Sequence, residues 1–443
     1  MESKLMSTAS RRPAGACLTA FVAPVLALWL AGPVLPVQAQ VPATADRAQQ
    51  DFDAAMAAIE QQRLRTARER LTNLLAANPS LSRARLELAK VHYLSRDYAD
   101  ARREAQRVLD DPNTPPQVRA TVLAFLAQID ADERRYAPRH LWSPFVYAGV
   151  MYDSNVNIGP ASDVIDIGGT DFTVAPGSQE TSDWAGVINA GIAHTYNPDG
   201  RFDWGEAQGD FVWQSELDGY YRGYFDETDF NLGVLTARTG PAWIVPGSWR
   251  AYVALQADQI FLGGENLALF TSLNPGIAWQ LGDDWELALD AFLTDRNYRG
   301  GDEFGRDGDY QSGSVTVGRY FRERSLLVQA GASYYNFDAD ADRYSYDGPE
   351  VFAGFISQAW TNGSVFARVG YRWYDFDGLE PLFNVPRDDD ELRVVAGFQH
   401  DYREGWLNGW SLVGSWTWTD NQSDVAIYEY DRHQVSLGLS RGF

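Results

Sequence analysis

Catalysis by a side-chain nucleophile needs a base beside it, most often histidine, and the chain has five histidines, His92, His140, His194, His400 and His433. His433 has Ser436 close in sequence, but no histidine stands in a recognised order with a nucleophile and an orienting group. Enzymatic activity is therefore not expected. The remaining chemistry-bearing residues are carboxylates. Asp338, Asp340 and Asp342, the run Arg306-Asp307-Gly308-Asp309, and Asp388-Asp389-Asp390 offer oxygen at the alternating positions calcium uses, but none is completed by the downstream bidentate glutamate of a calcium loop. They read as solvated loops that share divalent ions with surface lipid phosphates. No cofactor and no dedicated metal site is expected, and the single cysteine, Cys17, sits too early to change that.

The elements that carry these residues fall into two parts. Lys4, Arg11 and Arg12 precede an apolar run from Ala14 to Leu35 that ends in Val37-Gln38-Ala39, the pattern of a secretory signal peptide cut after Ala39. Beyond it no stretch approaches the roughly 18 apolar residues that a spanning helix needs. Aromatic residues nevertheless make up 13% of the chain and recur beside glycines in alternating segments, as they do where only every second residue meets lipid. Between Asp46 and Arg135 stand 15 basic and 14 acidic side chains, so of the 37 and 60 in the whole chain, less three and one in the signal, the part beyond holds 19 and 45. So acidic a surface excludes nucleic acid as a partner. Lysine occurs only at Lys4 and Lys90, which makes every cation of the second part an arginine.

Residues 40–135 form the first domain. Leu71, Leu74, Leu75 and then Leu86, Leu88, Val91 and Leu94 recur at helical spacing. An offset of 34 residues aligns Ala67 with Ala101, Arg68 with Arg102 and Leu75 with Leu109, and Asn78-Pro79 and Asp111-Pro112 end equivalent helices. That period marks tetratricopeptide repeats. The expected helices span 46–61, 64–77, 80–95, 98–110 and 115–133, about two repeats and a capping helix, with His92 as a packing residue beside Tyr93. Such a stack offers a concave face to a peptide or protein, or serves as a rigid plug or spacer.

After a linker at 136–143, residues 144–443 alternate with period two between connectors of two kinds. The short ones are Asn197-Pro198-Asp199-Gly200, Gly282-Asp283-Asp284, Arg322 to Ser325 and Thr361-Asn362-Gly363, with longer ones at 240–248 and 402–409 in the same phase. Polar loops fall between them at 155–182, 218–227, 262–266, 298–309, 338–347, 377–389 and 420–427. Six turns and seven loops separate fourteen strands. The fold class is thus a short helical repeat followed by a fourteen-stranded antiparallel transmembrane β-barrel in the outer membrane, turns and helical domain in the periplasm and long loops outside.

Alternation assigns faces. Trp285, Leu287, Leu289, Ala291 and Leu293 face lipid while Glu286, Ala288, Asp290 and Thr294 face the lumen. In the same way Arg368 and Arg372 oppose Val365 to Trp373, and Glu391, Arg393 and Gln399 oppose Leu392 to Phe398. Trp184, Trp249, Trp285, Trp360, Trp410 and Trp418 fit interfacial girdles. The closing run Gln434 to Phe443 resembles the terminal strand by which the barrel-assembly machinery recognises its clients, with Ser436, Gly438 and Phe443 at matching positions and Arg441 where an aromatic is usual.

Signal peptide, short repeat domain, the aromatic linker Leu141-Trp142-Ser143-Pro144 and a fourteen-strand barrel together resemble the surface lipoprotein assembly modifier family. The run Gly149-Val150-Met151-Tyr152-Asp153-Ser154-Asn155-Val156-Asn157 looks like that family's opening strand. Tyr152, Asp153, Ser154, Asn155 and Asn157 are expected at the outer rim, where such side chains bond nearby backbone as a strand becomes a loop. The resemblance implies a factor that moves lipoproteins or small soluble proteins across the outer membrane without a cofactor; its partners are membrane lipid, the assembly machinery and a secreted cargo. Two alternatives stand beside it: a polysaccharide exporter, whose repeat arrays are much longer, and a general diffusion porin.

Overall fold

The computed structural model describes residues 43–61, 63–112, 114–136, 139–167, 169–299 and 305–443. The expected signal peptide lies outside them. The chain divides into two compact units: residues up to Arg139 together with Asp199–Asp210, and His140–Pro198 together with Phe211–Phe443.

Among the described residues the first unit holds five helices, α1 (Ala43–Glu60), α2 (Leu64–Ala77), α3 (Ser82–Leu94), α4 (Tyr98–Asp110) and α5 (Pro116–Tyr136). Their apolar stripes meet as the repeat period requires. Phe52, Ala55 and Ala58 of α1 pack on Ala67, Leu71 and Leu74 of α2 and on Leu88 and Val91 of α3. A second cluster joins Ala89, Ala105, Val108, Leu109 and Val122. Alanine recurs at the closest approaches because small side chains let helix backbones near one another. Tyr93 packs edge-on against Phe125 and donates a 2.5 Å hydrogen bond to Asp132, tying α3 to the capping helix. Its neighbour His92 is buried, with Asp97 at 3.5 Å.

Three helices in this unit start without a side-chain cap of their own, α2 after Arg63, α3 after Leu81 and α4 after Asp97. The first turn of a helix leaves backbone N–H groups unsatisfied, and for α2 the missing acceptor comes from far along the chain. Glu206 accepts from the Thr66 amide through Oε2 at 2.9 Å and from the Arg65 amide through its carbonyl at 3.3 Å.

The second unit is a closed antiparallel barrel. Its strands are β1 (His140–Asp153), β4 (Asp183–Trp204), β5 (Ala207–Tyr224), β6 (Leu232–Val245), β7 (Trp249–Leu262), β8 (Glu265–Leu281) and β9 (Trp285–Tyr298), followed by β10 (Gly308–Phe321), β11 (Leu326–Ala339), β12 (Tyr346–Trp360), β13 (Gly363–Leu379), β14 (Pro386–Asp401), β15 (Ser411–Ser423) and β16 (Tyr430–Gly442). Each pairs with its neighbours in chain order, and β1 closes the ring against β16. Inside the first long loop β2 (Val164–Ile167) and β3 (Thr170–Thr173) form a separate pair. The fourteen ring strands match the number read from the connectors, and five of the six expected turns lie where their composition places them.

The sixth does not. Asn197-Pro198-Asp199-Gly200 reads as a turn, yet β4 runs on to Trp204 and the chain reverses at Gly205-Glu206, with Gly205 at φ +58°. Proline in a strand is tolerated where no neighbour needs its N–H. Here β1 pairs with β4 only as far as Tyr196, opposite His140, so Pro198 lies past the last residue that β1 could bond. The barrel also begins earlier than expected. His140 to Ser143, read as linker, already pair with Tyr196 to Ala193, and the Trp142 ring stacks on His194 at 4.0 Å.

Closure at the β1–β16 seam depends on two glycines that sit directly opposite each other, Gly149 and Gly438. The Tyr147 ring covers both, and a Cβ on Gly438 would stand 2.6 Å from the Ala148 carbonyl and from the Tyr147 ring. Phe443 completes the seam with its amide donating to Pro144 at 2.9 Å. Gly438→Ala should lower the urea midpoint of detergent-refolded protein by an amount equivalent to about 1–3 kcal/mol, the usual cost of an added methyl where nothing can yield. An unchanged midpoint would show that the seam has room to spare.

Candidate functional site

Strand register settles which side chains share a face. Across β7, β8 and β9 the in-register set Tyr252, Gly276 and Asp290 lies on one face, joined by a hydrogen bond from the Tyr252 hydroxyl to Asp290 at 2.7 Å. Glu286 accepts a two-pronged contact from Arg250 at 2.9 and 3.0 Å on that face, while Leu289 and Leu293 on the other are exposed. Further round, Glu350, Arg372 and Glu391 are consecutive cross-strand partners. Glu350 takes Arg368 at 3.1 Å and Arg372 at 2.6 Å, Arg393 reaches Glu391 at 3.1 Å, and Gln399 donates to Asp401 at 2.7 Å. The opposite face carries Val351, Phe355, Val369 and Trp373, all exposed. The charged face is therefore the bore.

Tryptophans mark the two edges of the apolar band. Trp184 stands at the loop end with Tyr152 tilted against it at 5.4 Å. Trp418 lies at the same end, while Trp285 and Trp360 lie at the turn end. Trp360 stacks on His400 and Trp416 and Trp418 stack on His433, so these histidines extend the aromatic girdle. A closed sheet, greasy outside and polar inside with aromatic borders, is the form in which strands cross a bilayer. The chain is an outer-membrane β-barrel.

At the loop end of the seam the opening-strand motif becomes a hub. Asp153 has no solvent exposure. Arg432 grips it from β16 through Nε and Nη2 at 2.8 and 2.5 Å, the Gln434 amide donates at 2.9 Å, and the Tyr224 hydroxyl donates from β5 at 2.6 Å. Ser154 exchanges bonds with the His433 backbone. Asn155, also fully buried, donates to the Gly159 carbonyl and accepts from the Gly159 amide, and Asn157 does the same with Gln179 and Thr181. These asparagines fold the first loop back onto the strand end. Tyr152 lies on the outward face of the strand, as does Val150.

Of the closing-strand residues, Ser436 faces the bore and shares a 2.8 Å hydrogen bond with Ser415. Arg441, where an aromatic is usual, lays its guanidinium over Phe443 at 4.8 Å and Trp410 at 5.7 Å, and so joins the girdle it interrupts. Several bore residues were not picked out from sequence: Tyr224, Arg432 and Gln434 around Asp153, Glu350 between two arginines, and Arg296, which lies over the Tyr310 and Phe337 rings at 4.0 and 4.5 Å. Alternation in β16 carried the signal for Arg432 and Gln434. Tyr224 and Glu350 needed the cross-strand register.

The acidic loop residues do not converge. Among the described residues no group of three or more histidines, cysteines or carboxylates is placed to hold a metal ion. They line the outer rim instead, where Asp309 stands directly opposite Asp295 and Asp338, and Asp375 opposite Asp347 and Asp388. Like charges in that relation repel.

In the helical unit the hairpin tip meets both interhelical corners. Besides Glu206 at α2, Arg201 pairs with Asp97 and donates to the Arg96 carbonyl at 2.6 Å, while Arg96 in turn grips Asp210 at 2.6 Å. Burial would raise the Asp97 carboxyl, but pairing with His92 and the charges of Arg201 and Arg68 outweigh it and hold it below the usual carboxylate value. Glu206 is lowered mainly by the Thr66 amide, with Arg65 adding to it.

The profile of a family described as a protein of unknown function, DUF2860, matches residues 295–440, and a tetratricopeptide repeat profile matches residues 58–129. No curated protein matches the chain. Among solved structures it is similar to the outer membrane protein OprD of Pseudomonas aeruginosa, with 11% identity over 68% of this chain and 94% of that one and a TM-score of 0.35. A bacterial polysaccharide outer membrane secretin aligns at 11% identity over 69% and 99%, TM-score 0.37. A loop-deletion mutant of OmpT, an outer membrane protein of Vibrio cholerae, aligns at 8% over 69% and 100%, TM-score 0.38.

Asp153→Ala leaves Arg432 buried without its partner, which typically costs about 3–5 kcal/mol. Urea unfolding in detergent should show that loss, and the double variant Asp153→Leu with Arg432→Met should recover part of it; equal stability of single variant and parent would remove the hub from any role in closure. The corner contacts give a pH dependence. A carboxyl whose folded value is depressed contributes in full above its ordinary value and loses that contribution as pH falls through the depressed one. Hydrogen exchange at residues 201–210 should thus quicken as pH drops through and below the ordinary carboxylate range, after correction for intrinsic rates.

Proposed function

We propose that the protein carries a lipoprotein or small soluble protein to the cell surface, with the helical repeats capturing it and the barrel passing it outward, and that it performs no catalysis of its own. The observation that carries this reading is the union, on one chain, of a tetratricopeptide unit and an outer-membrane barrel. Repeat stacks are surfaces for binding chains. The helices precede β1, whose first residue lies at the end of the barrel with the short turns, the periplasmic end in barrels of this type. A cargo leaving the inner membrane would meet the repeats there. Further support comes from the resemblance of Gly149 to Asn157 to the opening strand of the surface lipoprotein assembly modifiers.

The bore suits passage of a polar chain. Arg250, Arg368, Arg372 and Arg393 are each paired with a carboxylate of the same strand or of one or two strands away, so a charged segment would find partners of both signs without a deep well of either. Tight single-sign binding would hold a cargo; compensated charge lets it move on.

Deleting residues 46–135 tests the reading. In cells the truncated protein should still run as a heat-modifiable barrel in the outer membrane, while proteins that reach the surface only in the presence of the parent should be lost from it by protease accessibility. Surface display at the parent level in that strain would refute a capturing role for the repeats.

A further inference from the structure

The hairpin tip Asp199–Asp210 belongs to the helical unit and is joined to it by the contacts of Glu206, Arg201 and Asp210. All those described above are polar: the Glu206 cap on α2, the Arg201–Asp97 and Arg96–Asp210 pairs, and Arg65 at 3.6 Å from Glu206. They are partly exposed, the side chains of Arg65 and Arg201 at 47% and 38%, with Arg96, Asp97 and Asp210 more enclosed at 27%, 21% and 17%. Ion pairs that water still reaches contribute little to stability, whereas the repeats themselves are joined by fully buried apolar side chains such as Leu71 and Val91. A segment attached in this way can leave without unfolding what it was attached to.

What it would leave behind is specific. The surface consists of the α2 N-terminus, whose amides have no cap from their own neighbourhood, with Arg65 beside it and, at the next corner, Arg96 with its carbonyl turned outward and Asp97. Glu206 and Asp210 supply acid to the first and to Arg96, and Arg201 supplies the one base, to Asp97. We infer that the β4–β5 hairpin tip is a displaceable strap across the repeat corners, and that an extended acidic segment of a partner protein takes its place. The partner would offer two carboxylates and an arginine in the hairpin's spacing. This deepens the cargo reading above in naming how cargo is admitted, but the strap can be tested without any cargo.

The probe is a fluorescein-labelled synthetic peptide of residues 199–210, added to the full-length protein in detergent and followed by anisotropy. The parent, with its own strap in place, should bind it at least 10-fold more weakly than the variant Arg201→Ala with Glu206→Gln. Adding Arg65→Glu and Arg96→Glu to that variant should abolish binding, as should Glu206→Gln in the peptide. Hydrogen exchange on the same samples guards against a misfolded variant: α1, α3 and α4 should keep parental protection, and the Arg65 and Thr66 amides should regain theirs on adding peptide. Equal affinity of parent and variant, or no binding to either while the helices stay protected, overturns the strap. Loss of export on deleting the helices would stand apart from that result, since it reports on capture and not on the hairpin.

Discussion

A peptide bond in hydrocarbon has no water to bond, so the barrel exists only if its first strand meets its last. Everything in the second unit is subordinate to that meeting. Nine consecutive residue pairs join β1 to β16, from Phe145 opposite Gly442 to Asp153 opposite Gln434. Glycine opposite glycine brings the two backbones together at mid-seam under the Tyr147 ring, and the Asp153–Arg432 pair bolts the loop end, where strands would otherwise splay. Burying an ion pair is seldom worth more than burying two apolar groups of the same size. Its value lies in specificity: Asp153 is satisfied only when Arg432, Gln434 and Tyr224 arrive from the right strands in the right register. A one-residue slip would turn Arg432 toward lipid.

The helical unit obeys a different economy. Its core is alanine and leucine at close approach, enough to order five helices but leaving helix starts unfinished. The unfinished start of α2 is completed by a residue 140 positions downstream. The same hairpin that the chain needs to return from β4 to β5 is longer than a return requires, and its extra length is spent on the repeats. That geometry explains why Asn197-Pro198-Asp199-Gly200 fails as a turn.

Much of this was legible beforehand because both units are periodic. A 34-residue repeat fixes helix pairs, and period two fixes strand faces, so Glu286, Asp290, Arg368, Arg372, Arg393 and Gln399 could be assigned to one side of a sheet from spacing alone. Connector composition gave the strand number because five of six turns are short and local. What spacing cannot carry is partnership between distant elements. Tyr224 and Asp153 are 71 residues apart and Arg432 and Asp153 are 279 apart; their meeting is a property of ring closure. The hairpin tip departs from its local turn chemistry for the same reason, since contacts that appear only once the helices are in place override it.

The absence of lysine from the second part also acquires a cause. A guanidinium is planar, so it can grip a carboxylate with two parallel bonds and stack flat on a ring, where an ammonium can do neither. In the bore arginines do both: Arg250 forks onto Glu286, Arg368 lies 3.9 Å over Phe352 while it pairs with Glu350, and Arg387 lies 3.6 Å over Tyr428 while it pairs with Asp389. Outside, Arg319 and Arg441 stack on girdle rings. A barrel this rich in tyrosine, tryptophan and phenylalanine offers a ring to many of its cations, and arginine is the cation that can use it. Such pairing holds charge in fixed positions along the wall; lysine would leave it on flexible stems, free to fold across the bore.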